Sequence, residues 1–287
     1  MSVGEIAILG AGMHPWGKFV GKSFVDLGVH AARTALKDAD VDWDEIQFVS
    51  GANTVRNGYP GWVSASTFAN ALGFQGAQLA SSYAACASGV TALSIARAQI
   101  LSGICDVALV VGADQVPKGM FAPVPGDRPQ DVDWLRFRLL GLSNPAYFGL
   151  FARRRMALYG DTEEDFAAVK IKNSLHGSKN PNARFTKTFS NDDIEASPIV
   201  ADPLRLLEIC TTSDGGAALV VSSLKYAREK GITNPVKISG ISTVGPTYPN
   251  AIIDMPYLAS DSWAVSGDPA HTFKNQIAQH AYSEAGV

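Results

Sequence analysis

The chain has 287 residues, 46% of them hydrophobic and 18% charged, with a formal net charge of −3. That length supports one large domain or two modest ones around a substantial core. The near-neutral charge gives no electrostatic reason to expect nucleic acid or an anionic membrane as a partner.

No apolar run approaches the roughly 20 residues of a membrane span. The opening "MSVGEIAILGAG" runs straight into a strand-like segment, without the basic region and cleavage site of a signal peptide. The three cysteines, Cys86, Cys105 and Cys210, are widely spaced and form no CxxC pair. This argues against a disulfide framework or a zinc site and predicts a reducing, cytoplasmic setting.

"IAILGAG" (6–12) reads as a buried strand ending in glycines. The following "SFVDLGVHAARTALKDADV" has helical spacing, which places Val25, Val29, Ala32 and Leu36 on one face. "IQFVSGAN" is a second strand, "RNGYPGW" a Gly/Pro-rich loop, and "GWVSASTFANALGF" a helix of small residues. "QLASSY" is a third strand. It leads through Cys86 into the helix "SGVTALSIARAQILSG", after which "CDVALVVGAD" is an apolar strand. Strands and helices alternating at this length predict an α/β layered fold with both sheet faces covered.

From Val116 the period is lost. "VPKGMFAPVPGDRPQDVDW" reads as loop, followed by helices at "PAYFGLFARRRMALYG" and "TEEDFAAVKIKNSLHG", the latter with Thr162 as N-cap and Asp165 three residues on. "SKNPNARFTKTFSNDDIEASPIVADP" reads as irregular. Residues 117–201 are thus expected to be an excursion mounted on the α/β body. The body resumes with a strand at Ala217–Val221, the helix "LKYAREKG", a strand-like "VKISGISTVG" and a helix over 269–285.

The chemistry centres on "SSYAACASGVTAL". A cysteine is nucleophilic as thiolate, and the positive end of a helix beside it favours that form. Cys86 stands between a strand and a helix among Ala84, Ala85, Ala87, Ser88 and Gly89, whose small bulk lets a thioester approach. Gly89 is the residue expected to supply unusual dihedrals at the turn. The same residues also suit a cysteine filling a tight core, and buried free cysteines are common. Cys105 begins a buried strand and reads as core. Cys210, before "TTSDGGAA", reads as part of a turn.

His14 follows the first strand, His30 lies within a helix, His176 ends one, and His271 and His280 lie in the last helical region. None of them sits in a motif that marks a base for Cys86. Arg153–Arg155 read as a solvated helix face that could also meet a CoA phosphate. "ILGAGMHPWG" lacks the third glycine and the acidic residue of a dinucleotide loop, and no phosphate-cradling GxxxxGK[ST] occurs.

Taken together, "ILGAGMHPWGK", "YAACASGVTALSIARAQILSG", "DVALVVGAD", "ARRRMALYGDTEEDFAAV", "KNPNARF" and "CTTSDGGAALVVSS" resemble, in order and spacing, the thiolase superfamily. The nearest resemblance is to the sterol-carrier/lipid-transfer type of acyl-CoA thiolase. It implies two similar α/β halves in a layered αβαβα fold. An N-terminal domain would span 1–225 with a loop domain inserted at about 117–201, and 236–287 would open an incomplete C-terminal domain.

The resemblance also implies a homodimer formed partly through the strand about Gln78–Tyr83, and thiolysis of a 3-ketoacyl-CoA, sterol- or lipid-derived, or the reverse condensation, with Cys86 as nucleophile. Coenzyme A would be a co-substrate, and no cofactor would be tightly bound. Tyr248, in "VGPTYPN", and Met156 are the further substrate-binding candidates. Some lipid-transfer members act instead as retro-aldolases on steroid side-chain acyl-CoAs with a small OB-fold partner. A non-catalytic binding subunit is a third expectation. The family's histidine loops and second catalytic cysteine fall in its second half, beyond Val287, so the catalytic base is assigned to no residue here. A continuation of about a hundred residues is expected.

Overall fold

The computed structural model describes residues 4–54, 63–116, 130, 144–245 and 273–287. The chain divides into two compact units, one made of 1–115 with 214–287 and the other of 116–213.

The first unit is built on a six-stranded sheet. Its strands are β1 (Ile6–Gly17), β2 (Phe48–Ala52), β3 (Gln78–Ser82), β4 (Val107–Asp114), β7 (Asp214–Ser223) and β8 (Val236–Ile238), in the spatial order β3-β2-β4-β7-β1-β8. Strands β3, β2 and β4 are mutually parallel, and β7 runs antiparallel to both β4 and β1. The carboxyl ends of β1 to β4 therefore share one edge of the sheet with the start of β7. The stretch expected to open a second domain contributes β8, which pairs antiparallel with β1.

Helices cover both faces, and the apolar run of β4 shows why. Val107, Leu109 and Val111 pack into one cluster with helices α1 (Phe24–Ala39) and α2 (Ser64–Leu72). Ala108 and Val110 pack into another with Ala92, Ala96 and Ile100 of α3 (Ser88–Leu101). A strand buried on both sides needs apolar residues at every position, so no alternation appears.

The expected face of α1 is rotated in the structure. Phe24, Leu27, Ala31, Ala32, Ala35, Leu36 and Ala39 are buried, whereas Val25 and Val29 are half-buried and line an open groove of about 690 Å³ with His30, Arg33 and Lys37. The small residues win the inner face because β1 approaches closely. A side chain at Gly10 or Gly12 would collide with the α1 backbone at Ala35–Ala39 and Ala31–Ala35 respectively. The glycines of "ILGAG" thus serve helix–sheet packing.

The second unit has its own small core of Ala167, Phe189 and Ile194, with Ile171, Phe185 and Leu207 against it. Its elements are α4 (Asn144–Tyr159), α5 (Glu163–Gly177), α6 (Asn191–Glu195) and the hairpin of β5 (Ile199–Ala201) and β6 (Leu204–Arg205). The Thr162 amide donates to Asp165 Oδ2 at 2.8 Å, as the capping pattern predicts. The stretch read as irregular after Ser178 holds α6, which opens with a capping box in which the Ser190 amide donates to Asp193 Oδ2 at 2.9 Å. The capping signal "SNDD" marks that helix, but five residues are too few to show a helical period.

Two short helices complete the described chain: α7 (Leu224–Glu229) after β7, and α8 (Phe273–Ala285). Among the described residues no helix is long and apolar enough to cross a membrane.

Candidate functional site

Strand β3 ends at Ser82 and α3 begins at Ser88, so five residues must turn the chain from the sheet edge into a helix on its face. Cys86 lies in this turn and is exposed. It therefore fills no core, which removes one of the two readings its neighbours allowed. The tight conformation falls on Ala85, which adopts φ +47°, and not on Gly89, which has no positive φ and sits within α3. For an L-residue this left-handed backbone costs about 1–2 kcal/mol, and it is kept only where the surroundings enforce it.

The Ser88 amide donates to the Ala85 carbonyl at 3.1 Å and the Ala87 amide to the Ala84 carbonyl at 3.0 Å, and hydroxyls reinforce this backbone turn. Ser88 Oγ donates to the Ala85 carbonyl at 2.7 Å and accepts from the Ala84 amide at 2.8 Å, so one buried side chain closes the loop on both sides. Ser82 Oγ donates to the Ser88 carbonyl at 2.9 Å and joins the end of β3 to the start of α3. From just past the end of β2, Thr54 Oγ1 donates to the same Ala85 carbonyl at 3.1 Å.

Thr54 is held in turn by the sheet. Its amide donates to both carboxylate oxygens of Asp114, at 2.9 and 3.1 Å, while Asn53 Nδ2 donates to the Ala113 carbonyl at 2.8 Å. The ends of β2 and β4 thus clasp each other reciprocally, side chain to backbone in both directions. Ala87, the N-cap of α3, offers no side-chain hydrogen bond. The positive end of the helix dipole therefore faces the Cys86 turn without a carboxylate or hydroxyl cap of its own and favours negative charge developing there.

Further along the same edge, Asp214 opens β7 nearly buried. It accepts from Lys18 Nζ at 2.9 Å and from the Phe19 amide at 3.0 Å. His14 stands within β1 and not after it. It is buried, its ring lies edge-on to Phe19 and His30, and its Nε2 is 3.2 Å from Lys22 Nζ. Burial, with help from the charges of His14 and Lys22, lowers the His30 pKa.

Among the described residues no side chain hydrogen-bonds the Cys86 thiol, and no group of three or more His, Cys, Asp or Glu residues is placed to hold a metal ion.

The other candidates lie elsewhere. Cys105 is buried, and burial with the adjacent Asp106 pushes its thiol up to about 11. Cys210 is exposed, in the second unit. Met156 is half-buried on α4, also in the second unit, one helical turn from Arg153. Arg153 forms a two-pronged pair with Asp202, with both contacts at 2.5 Å, and Arg155 pairs with Asp161. Tyr248 and His271 lie outside the described residues.

Thr54, Asn53 and Asp114 were missed by sequence reasoning. Their partners lie at least 31 positions away, so no local spacing announces them. Ser88 contributes its hydroxyl and not merely its small size, bonding to backbone groups three and four residues before it.

A mixed sheet ordered β3-β2-β4-β7-β1 between two helix layers, with a cysteine turn after β3 entering a helix, defines a thiolase-like α/β protein. The thiolase N-terminal domain family matches residues 6–225, and the chain belongs to that family. It is 31% identical over 226 residues to an acetyl-CoA acetyltransferase of Methanocaldococcus jannaschii, covering 78% of this chain and 57% of that protein. It is 30% identical over 247 residues to human sterol carrier protein 2, covering 79% of this chain and 43% of that protein.

Of the solved structures, an "Ltp2-ChsH2(DUF35) aldolase" superposes with TM-score 0.74 at 24% identity, covering 100% of this chain and 71% of that one. A monomeric SCP2-thiolase-like protein type 1 from Mycobacterium smegmatis gives TM-score 0.65 at 20% identity, covering 100% of this chain and 58% of that one. The chain spans about half the length of the curated relatives it matches.

Proposed function

We propose that the chain carries the nucleophile of an acyl-CoA acyltransferase of the thiolase type. The single observation behind this reading is that Cys86 is exposed on a strained strand-to-helix turn, at the sheet edge where four strand ends converge. In thiolysis the Cys86 thiolate attacks the keto carbon of a 3-ketoacyl-CoA. The C2–C3 bond breaks and its electron pair passes to C2, giving the enolate of acetyl- or propionyl-CoA, which takes a proton from an acid. The thiol of free coenzyme A, deprotonated by a base, then attacks the acyl-cysteine, restoring Cys86 and releasing the shortened acyl-CoA. The positive end of α3 is suited to the charge that develops in both steps.

The acid and base are assigned to no residue of this chain. Met156 and Tyr248 stay proposed substrate contacts, with coenzyme A as co-substrate and no tightly bound group. A homodimer through β3 is part of the same reading, since that edge strand leaves Leu79 and Tyr83 exposed at 40% and 52%. Three free cysteines suit a reducing, cytoplasmic setting.

The test is intact-mass detection of an acyl adduct after incubation with acetyl-CoA and with a longer acyl-CoA. The wild-type protein gains the acyl mass and Cys86→Ser does not. Full acylation of Cys86→Ser removes the reading.

The likeness to the aldolase structure supports a second reading, aldol cleavage with a partner protein, here of the steroid side-chain acyl-CoA that the sequence resemblance implies. That reaction needs no acyl-cysteine. Cleavage of a 3-hydroxyacyl-CoA that persists in Cys86→Ala selects it over the first.

A further inference from the structure

We propose that Thr54 is a positioning residue for Cys86, transmitting the rigidity of the sheet to the cysteine turn through its hydroxyl. This rests on the reading of Cys86 as nucleophile and adds to it the element that aims the thiol. The residue immediately before Cys86 holds a left-handed φ of +47°. A relaxation there towards ordinary backbone would swing the thiol away from its place on the edge.

Two hydroxyls converge on the Ala85 carbonyl to prevent this. Ser88 is the first residue of α3 and acts from within the same chain segment, three residues after Ala85. Thr54 reaches the turn from just beyond the end of the neighbouring strand β2. Its own backbone is clamped by Asp114, at the end of β4 in the middle of the sheet, and the side chain of the preceding Asn53 is tied to the Ala113 carbonyl while almost fully buried. The line Asp114–Thr54–Ala85 thus joins the best-packed part of the sheet to the residue next to the thiol. Strand β2 keeps its backbone pairing with β3 and β4 without the hydroxyl, so the hydroxyl is free to serve geometry.

The experiment compares the full chain with Thr54→Val, Thr54→Ser and Asp114→Ala. Two rates are measured. One is formation of the Cys86 acyl adduct from acetyl-CoA. The other is alkylation of Cys86 by iodoacetamide, followed by peptide mass mapping with exposed Cys210 as the internal reference. Thr54→Val is expected to slow acylation about tenfold or more and to change Cys86 alkylation relative to Cys210 at least about threefold. Thr54→Ser is expected to restore both to within about twofold, and Asp114→Ala to resemble Thr54→Val.

Wild-type rates in Thr54→Val, or Thr54→Ser as impaired as Thr54→Val, overturn the proposal. If wild-type protein takes no acyl group, the acyltransferase reading fails by itself. The alkylation ratios then decide the positioning role: a shift in Thr54→Val rescued by Thr54→Ser supports it, and no shift overturns it.

Discussion

The guanidinium of Arg97 on α3 meets the carboxylate of Glu284 on α8 at 2.7 Å, with the Arg97 side chain only 9% exposed. The second oxygen of Glu284 accepts from the Ile241 amide at 2.6 Å, and Arg97 also donates to the Gly4 carbonyl at 3.1 Å. One ion pair thus gathers the last helix, the segment after β8, the helix entered from the Cys86 turn and the start of the chain.

The Ile241 amide, and then the Arg97 charge, hold the Glu284 carboxyl below its ordinary pKa. A depressed acidic pKa contributes stability that is present above the unfolded value, about 4.3, and lost as pH falls through the folded value. Glu284→Gln is expected to destabilise the protein by about 2 kcal/mol at pH 7, because it leaves Arg97 buried without a counter-charge. The difference in melting temperature between wild type and Glu284→Gln shrinks as pH falls below about 4.3. A difference constant from pH 3 to pH 7 contradicts this assignment.

The three thiols are expected to separate by reactivity. Exposed Cys86 and Cys210 react with iodoacetamide in the native protein at pH 8. Cys105 is protected by burial and by a thiol pKa raised to about 11, and should react at least about a hundredfold more slowly. Denaturation in urea removes the difference. Native labelling of Cys105 as fast as Cys86 would show that strand β4 is not packed as described.

A methyl group at Gly89 would meet nothing within 4 Å among the described residues. Gly89→Ala is therefore expected to leave the fold intact and to raise the melting temperature slightly, as an alanine in a helix is favoured over glycine by about 1 kcal/mol. If the space above the first turn of α3 admits a thioester, the same variant loses acylation about tenfold, by the price of a misplaced reacting carbonyl. An unchanged acylation rate would mean that Gly89 gives no clearance to the substrate.

Asp214 accepts from Lys18 and the Phe19 amide while almost excluded from water. Asp214→Ala leaves that amide without its acceptor and opens the join between β7 and the end of β1, at an expected cost of about 2–3 kcal/mol. Urea unfolding of the variant measures it, with a loss below about 0.5 kcal/mol contradicting the structural role.

The layered α/β class, the nucleation of α5 by Thr162 and the burial of Cys105 were legible in the sequence. Local patterns encode them: apolar runs long enough for a doubly covered strand, a capping spacing and a cysteine at the head of such a run. Resemblance among six ordered segments supplied the family. What local pattern could not supply was the inner face of α1, where close approach of Gly10 and Gly12 favours alanines over valines. Nor could it show the strained residue of the Cys86 turn.

The sequence placed the flexibility on Gly89, because glycine bears positive φ without cost. The structure instead gives the left-handed backbone to Ala85, whose carbonyl is held fixed by the hydroxyls of Thr54 and Ser88. By itself, then, the sequence determined the main strands and helices of the layered body and that Cys86 stands between a strand and a helix. Only the tertiary structure decided that the thiol is exposed and what aims it. The reason is physical: periodicity and capping act within a few residues, whereas Asp114, Thr54 and Ala85 meet only when parallel strands bring their ends to one edge.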